Sequence, residues 1–326
     1  MKKFPHHGAH HGGGFEAQPE SSPVVPIRHL MTTEEIATVF RAHSRLSGSM
    51  AVNLETWLAD PGTLPRYRDL IPAPGAGEST LVELGCYQPS VGYYFHLGWR
   101  EVLGIYKDDG EGTVQESYTQ PDGASARFLL ADVETQKVPV EDGWADVVVM
   151  MEIFEHFAVD PMHALWEANR VLKPGGRLIF STPNAASANL LHKALRGTAP
   201  LTGFEFTGYS TNRHNRLYDA HELPGYLEKA GFNVQECFSR SYGHRTSHWG
   251  TRPFGAGLRL WDGVAEMFAP TGRKRERGYF IFVRARKSGP PMERYPQGLY
   301  FDPAEWPGMV AQREKFLREN AGAKPS

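Results

Sequence analysis

The run Ala145-Asp146-Val147-Val148-Val149-Met150-Met151 constrains this chain most. A continuous apolar stretch with no polar alternation is what a strand buried on both faces requires. Pro161 to Leu172 follows as an amphipathic segment, with Ala164, Leu165, Ala168 and Val171 on one side. It ends in LKPGG, which reads as a helix stop and a turn. Arg177 to Ser181 is then a second apolar strand. Strand, helix and strand in this order predict a parallel pair joined by a crossover helix.

The same alternation runs through most of the chain. Thr80–Leu84, Glu101–Tyr106 and Ala126–Ala131 read as strands, with a helix over Ser90–Leu97. A helix over His221–Ala230 closes at Gly231, and Phe232–Phe238 and Tyr279–Ala285 are late strands. The expected fold is α/β: a doubly wound, Rossmann-like sheet with helices on both faces, which binds ligands at the carboxyl ends of its strands. Residues 1–28, rich in Gly, His, Pro and Ser, are expected to form a disordered tail. Residues 29–78 form an N-terminal helical cap, opened by Thr32 or Thr33 with Glu34 and Glu35 in the first turn. Ile36, Val39 and Phe40 share a face there, and the segment is placed to cover a ligand site. The main domain is expected over 79–287, and a C-terminal tail with a short helix over 288–326.

Composition removes some function classes. A net charge of −2 offers no global attraction to nucleic acid or an anionic membrane. No apolar run approaches the roughly 20 residues that span a bilayer. The basic N-terminus lacks the apolar stretch of a signal peptide. Two cysteines, Cys86 and Cys237, make no disulfide framework. A cytoplasmic protein is the expectation, with oligomeric state open.

Four segments, VELG, LLADVE, ADVVVMMEIFEHF and RVLKPGGRLIFSTPN, carry a resemblance over about 80–286. In order and spacing they resemble class I S-adenosylmethionine (SAM) methyltransferases, nearest the small-molecule and sugar O-methyltransferases of the ubiquinone-pathway kind. The resemblance implies SAM as cofactor. It implies that Glu83 organises the first turn and reaches the methionyl amine through water, and that Gly85 supplies the bend, with Cys86 and Tyr87 beside it. Tyr106 stands where the family has a ribose-binding acid, with Asp108 two residues on. Asp132 aligns with the acceptor for the adenine amino group, Val133 offers its backbone N–H, and Met151 an apolar side. The chain departs from the family at two of three glycines, where it has Tyr87 and Pro89. Pro89 suits the first turn of a helix. The Tyr87 ring either swings aside or fills cofactor volume. Two functions therefore stand: a SAM-dependent methyltransferase, or a catalytically inactive methyltransferase-like scaffold plugged by Tyr87 and Tyr106.

Glu152, Glu155 and His156 fall at i, i+3 and i+4, close together on a helical turn. His156 is the candidate general base, with Glu155 as its neighbour. Such a trio could also hold a divalent cation that acidifies a hydroxyl, although no residue is assigned here as a metal ligand. Residues 185–218 read as an acceptor-binding insertion. There Arg213, His214, Asn215 and Tyr218 combine hydrogen-bonding groups with aromatics, which suits a small-molecule or saccharide acceptor. His244, His248 and Trp249 are weaker candidates of the same kind.

Overall fold

The structure, a computed structural model, describes residues 31–45, 48–107, 117–195, 197, 213–242 and 277–320. Eight strands form one sheet: β1 Thr80–Leu84, β2 Glu101–Tyr106, β3 Ser117–Thr119, β4 Ser125–Leu130, β5 Ala145–Met151, β6 Leu172–Pro183, β7 Phe232–Arg240 and β8 Phe280–Lys287. Their order is β3-β4-β2-β1-β5-β6-β8-β7. The run β4-β2-β1-β5-β6 is parallel. The edge strand β3 and the pair β7 and β8 run antiparallel to their neighbours. The expected α/β doubly wound sheet is therefore present.

Every residue of β1 and β5 is buried. Their side chains alternate between two cores. Val82, Leu84, Val148 and Met150 face helices α5 (Pro161–Val171) and α7 (Glu222–Lys229). Leu81, Val147, Val149 and Met151 face α1 (Thr33–His43), α2 (Gly48–Ala59), α3 (Thr63–Leu70) and α4 (Val91–Leu97). The first three of these helices are the N-terminal cap. Thr32 caps α1 and forms a reciprocal capping box with Glu35. Ile36 and Phe40 are wholly buried, so the cap closes one core of the sheet rather than standing apart from it.

Two local readings change. LKPGG does not end the strand–helix connection before the sheet begins. Leu172 already pairs with Ala145, and Arg177 pairs with Val147, so Lys173–Gly176 bulges out of β6. Gly175 takes φ +73° within that bulge, as a glycine can. The other change is β3, a short edge strand that lacks the apolar pattern of its neighbours. Two further helices, α6 (Ala188–Leu195) and α8 (Pro307–Asn320), lie in the insertion and the tail. The N-terminal 1–28 tail lies outside the described residues. Among the described residues no helix is long and apolar enough to cross a membrane.

Asp146, the one acid in the β5 run, locks the sheet's base. Its Oδ2 accepts from the Ser79 and Thr80 amides at 2.9 and 3.0 Å and from the Thr80 hydroxyl at 2.7 Å. Its Oδ1 accepts from Lys173 Nζ at 2.6 Å. Burial would raise this carboxyl's pKa, but Lys173 and the hydrogen bonds outweigh it and bring it to about 2. A depressed carboxyl stabilises the fold above its unfolded pKa, near 4, and loses that contribution as pH falls through its folded value. Asp146→Asn should therefore cost about 2 kcal/mol at pH 7. Urea denaturation at a series of pH values should show that gap closing between about pH 4 and pH 2.

Candidate functional site

A cavity of about 420 Å³ opens at the carboxyl ends of β1, β2, β4 and β5. Gly85–Tyr87, Ile105–Lys107, Ala131–Glu134 and Met151–Ile153 supply its walls from the sheet. His156–Val159 closes one side, and Trp57, Arg66 and Tyr67 of the cap close another. The sheet's topology puts the cavity where open α/β sheets bind ligands, because the parallel strands all end there.

The turn after β1 keeps its tight geometry with a single glycine. Gly85 has φ +74°. The amides of Gly85 and Cys86 both donate to the Ile105 carbonyl, at 2.8 and 2.9 Å. A Cβ at position 85 would lie 2.0 Å from a methyl of Ile153, so both φ and space demand glycine. Tyr87 points its ring onto Trp57, with centroids 4.2 Å apart. The ring forms part of the wall, and the cavity stays open. Burial pushes its hydroxyl up to about 12. Pro89 sits in a 3-10 turn, Gln88–Ser90, that leads into α4. Cys86 lies in the wall with its thiol pushed well up by burial and by Glu83.

Glu83 does not line the cavity. It is 2% exposed and accepts from Tyr67 Oη at 3.0 Å and from Ser90 Oγ at 2.7 Å. It thereby joins the cap to the start of α4 behind the turn. Burial raises its pKa, against the hydrogen bonds it accepts. Tyr106, Asp132, Val133 and Met151 all reach the wall. Asp132 accepts from Lys107 Nζ at 2.7 Å and from the Glu134 amide at 3.1 Å. Asp108 lies outside the described residues.

Sequence reasoning missed Arg66. It is 8% exposed, lies in the cavity wall, and stacks over Phe280 at 4.4 Å. Glu152 Oε2 is 3.4 Å away, and the buried Arg66 Nε has no hydrogen-bond partner among the described residues. The available signal was an arginine, Arg66, beside Tyr67 in a segment read only as a helical cap. Glu152 leaves the strand at φ +56° and accepts from Ser181 Oγ at 2.8 Å. Such a conformation costs a non-glycine residue on the order of 1–3 kcal/mol and tends to persist at functional sites.

That departure corrects the expected Glu152–Glu155–His156 helical turn. Only Phe154–His156 coils, as 3-10, and Glu152 lies before it. His156 lines the cavity, whereas Glu155 is 1% exposed behind it. Glu155 Oε1 lies 3.7 Å from His156 Nε2, and Oε2 accepts from the Thr182 hydroxyl at 3.0 Å. Burial, then the Glu152 charge, holds the Glu155 carboxyl well above the usual range. His214 joins them instead of Glu152: its ring meets that of His156 edge-on at 4.9 Å. Ligand atoms of Glu155, His156 and His214 lie within 4.8 Å of one another, a set that could hold a divalent cation.

Asn215 fixes that loop. Its amide donates to the Glu155 carbonyl at 2.7 Å and its Nδ2 to the His156 carbonyl at 2.6 Å, while Arg213 donates to its Oδ1. Arg213, His214 and Asn215 thus flank the cavity without lining it. Tyr218 is core: it is 1% exposed, packed on Phe154 at 4.6 Å and under Arg216 at 4.7 Å. Its burial leaves no surface for an acceptor. His244, His248 and Trp249 lie outside the described residues.

Residues 66–236 match the model of a family described as a methyltransferase domain. The chain belongs to that methyltransferase-domain family. A protein of Mycolicibacterium smegmatis named as a "probable S-adenosylmethionine-dependent methyltransferase" is 32% identical over 147 residues, 44% of this chain. That match spans about half (48%) of the mycobacterial protein's length. A ubiquinone biosynthesis O-methyltransferase of Acinetobacter baylyi is 23% identical over 56% of this chain and 74% of its own. Among solved structures, a SAM-dependent methyltransferase from Archaeoglobus fulgidus aligns with 73% of this methyltransferase-domain chain and 100% of its own, at 15% identity and a TM-score of 0.45.

Gly85→Ala tests the turn on which this site depends. It should destabilise the protein by at least about 2 kcal/mol in chemical denaturation. Adding Ile153→Ala should recover part of that loss beyond simple additivity, because it removes the clashing methyl.

Proposed function

We propose that the protein transfers the methyl group of SAM to a hydroxyl oxygen of a small-molecule or saccharide acceptor. The observation that carries this reading is the open cavity at the strand ends, with Tyr87 drawn aside onto Trp57. A plugged turn would have favoured a scaffold.

The residues present suit the cofactor's parts. Asp132 can accept from an adenine amino group and Val133 can donate its amide. Tyr106 can serve a ribose hydroxyl in place of the acid that the family uses there. Arg66, a buried cation with an unused Nε in the wall, suits the methionyl carboxylate. Glu83 acts one layer back, by holding Tyr67 and Ser90. SAM supplies a methyl group on a positively charged sulfur. The protein's own contribution is position and exclusion of water, with Trp57, Arg66 and Tyr67 of the cap walling one side of the cavity. His156, facing the cavity, takes the acceptor's proton at a ring nitrogen. The buried Glu155 lies beside it, its Oε1 3.7 Å from the imidazole Nε2. The relationship to a ubiquinone biosynthesis O-methyltransferase supports oxygen as the methylated atom. His214 brings the insertion to the edge of the site, where its ring meets that of His156.

Calorimetric titration with SAM and S-adenosylhomocysteine tests the reading directly. Binding tighter than about 100 μM is expected, roughly −5.5 kcal/mol. An absence of heat and of thermal stabilisation at millimolar ligand would leave the scaffold alternative standing. Asp132→Ala should weaken S-adenosylhomocysteine about tenfold, as the loss of a hydrogen bond to a charged group predicts. His156→Ala should lower kcat by about 10²-fold or more while S-adenosylhomocysteine affinity stays within about twofold. Unchanged turnover would remove His156 from the base's role.

A further inference from the structure

Val159, the last residue of the cavity wall, and Asp160 next to it are held from two directions. From below, Glu134, itself in the cavity wall, accepts from the Val159 and Asp160 amides at 2.6 and 2.9 Å. From outside it is held by residues far along the chain. Asp160 is 0% exposed and caps α5 by accepting from the His163 amide at 3.2 Å. A buried carboxylate needs partners or it destabilises the fold. Apart from its own helix, those partners come from the C-terminal tail: the Tyr300 hydroxyl and the Arg294 guanidinium bond to it, and Arg313 lies 3.5 Å away. Arg313 also donates to the Val159 carbonyl. Tyr300 Oη accepts from the Met162 amide at 3.1 Å, and Arg313 stacks over the Tyr300 ring at 5.0 Å. All three tail residues lie beyond residues 66–236, where the family match ends.

We propose that the C-terminal tail supports the cavity, and that Arg313, Arg294 and Tyr300 are positioning residues that anchor Asp160 and so hold Val159, in the wall beside it, against a bound cofactor. The chain after β8 then does more than follow the domain. It supplies the counter-charges for the buried carboxylate that follows the wall and caps α5. Without them Asp160 must turn to water, and Val159 goes with it. This inference rests on reading the cavity as the SAM site, but its first readout does not.

The test uses the full chain. Hydrogen–deuterium exchange of a peptide spanning 157–162 is measured beside S-adenosylhomocysteine affinity for Arg313→Leu, Arg313→Lys and Lys315→Ala. Arg313 is 27% exposed and Lys315 70%, so neither replacement opens a core. Arg313→Leu should speed exchange in 157–162 at least roughly tenfold and weaken S-adenosylhomocysteine by a similar factor. Arg313→Lys should fall between it and the parent, because the charge remains while the forked donor is lost. Lys315→Ala should change neither. Should Arg313→Leu fail to fold, Tyr300→Phe carries the same two readouts with a smaller expected effect. Unchanged exchange in 157–162 overturns the proposal, as does faster exchange with unaltered affinity. If the parent protein itself binds no S-adenosylhomocysteine, the cofactor reading fails separately, and the exchange measurement still decides whether the tail holds the wall.

Discussion

Burial of β1 and β5 on both faces is the constraint from which the rest follows. Strands with no polar side demand a covering layer above and below. The chain meets that demand with α5 and α7 on one face and the cap with α4 on the other. Once both faces are covered, the strand ends are what remains of the sheet's centre for a ligand to reach. The acids of these strands sit toward their ends: Glu83 near the carboxyl end of β1, Glu152 just past β5, and Asp146 at the base.

The cap links packing to chemistry. Tyr67 reaches Glu83 from α3, Trp57 receives the Tyr87 ring, and Arg66 meets Glu152. Glu83 lies near the carboxyl end of β1, and Tyr87 and Glu152 lie just after β1 and β5. The same helices that bury one core therefore shape the cavity. A turn poor in glycine is tolerated because the extra ring has an aromatic surface to leave for, which a glycine would not need. Its cost is a site whose shape depends on a separate segment of chain.

Around His156, near neighbours in sequence and distant segments converge. Glu155 sits beside it, His214 comes across from residues 213–215 on the hydrogen bonds of Asn215, and Val159 with Asp160 beyond it is tied to Glu134 and the tail. Backbone carbonyls of Glu155 and His156 serve as anchors for Asn215, so the histidine pair depends on main-chain geometry as much as on side-chain identity.

Much of this was legible in the residues. The strands over 80–84, 101–106 and 145–151 follow from apolar runs of strand length, and the helix start at Thr32 or Thr33 from the acids that follow it. Gly85, Asp132 and His156 reach the cavity because each ends or follows a strand whose place the pattern dictates. What periodicity cannot encode is direction after a strand stops. Glu152 turns away at positive φ, so the helical spacing of Glu152, Glu155 and His156 never forms, and His214 arrives from 58 positions on. Tyr218 reads as an exposed aromatic in a polar loop, yet burial against Phe154 outweighs its hydroxyl. Local pattern and the hydrophobic effect decide which segments are strands and helices. Whether the Tyr87 ring fills or frames the cavity was settled only by packing against Trp57, a contact between residues 30 apart that no local rule contains.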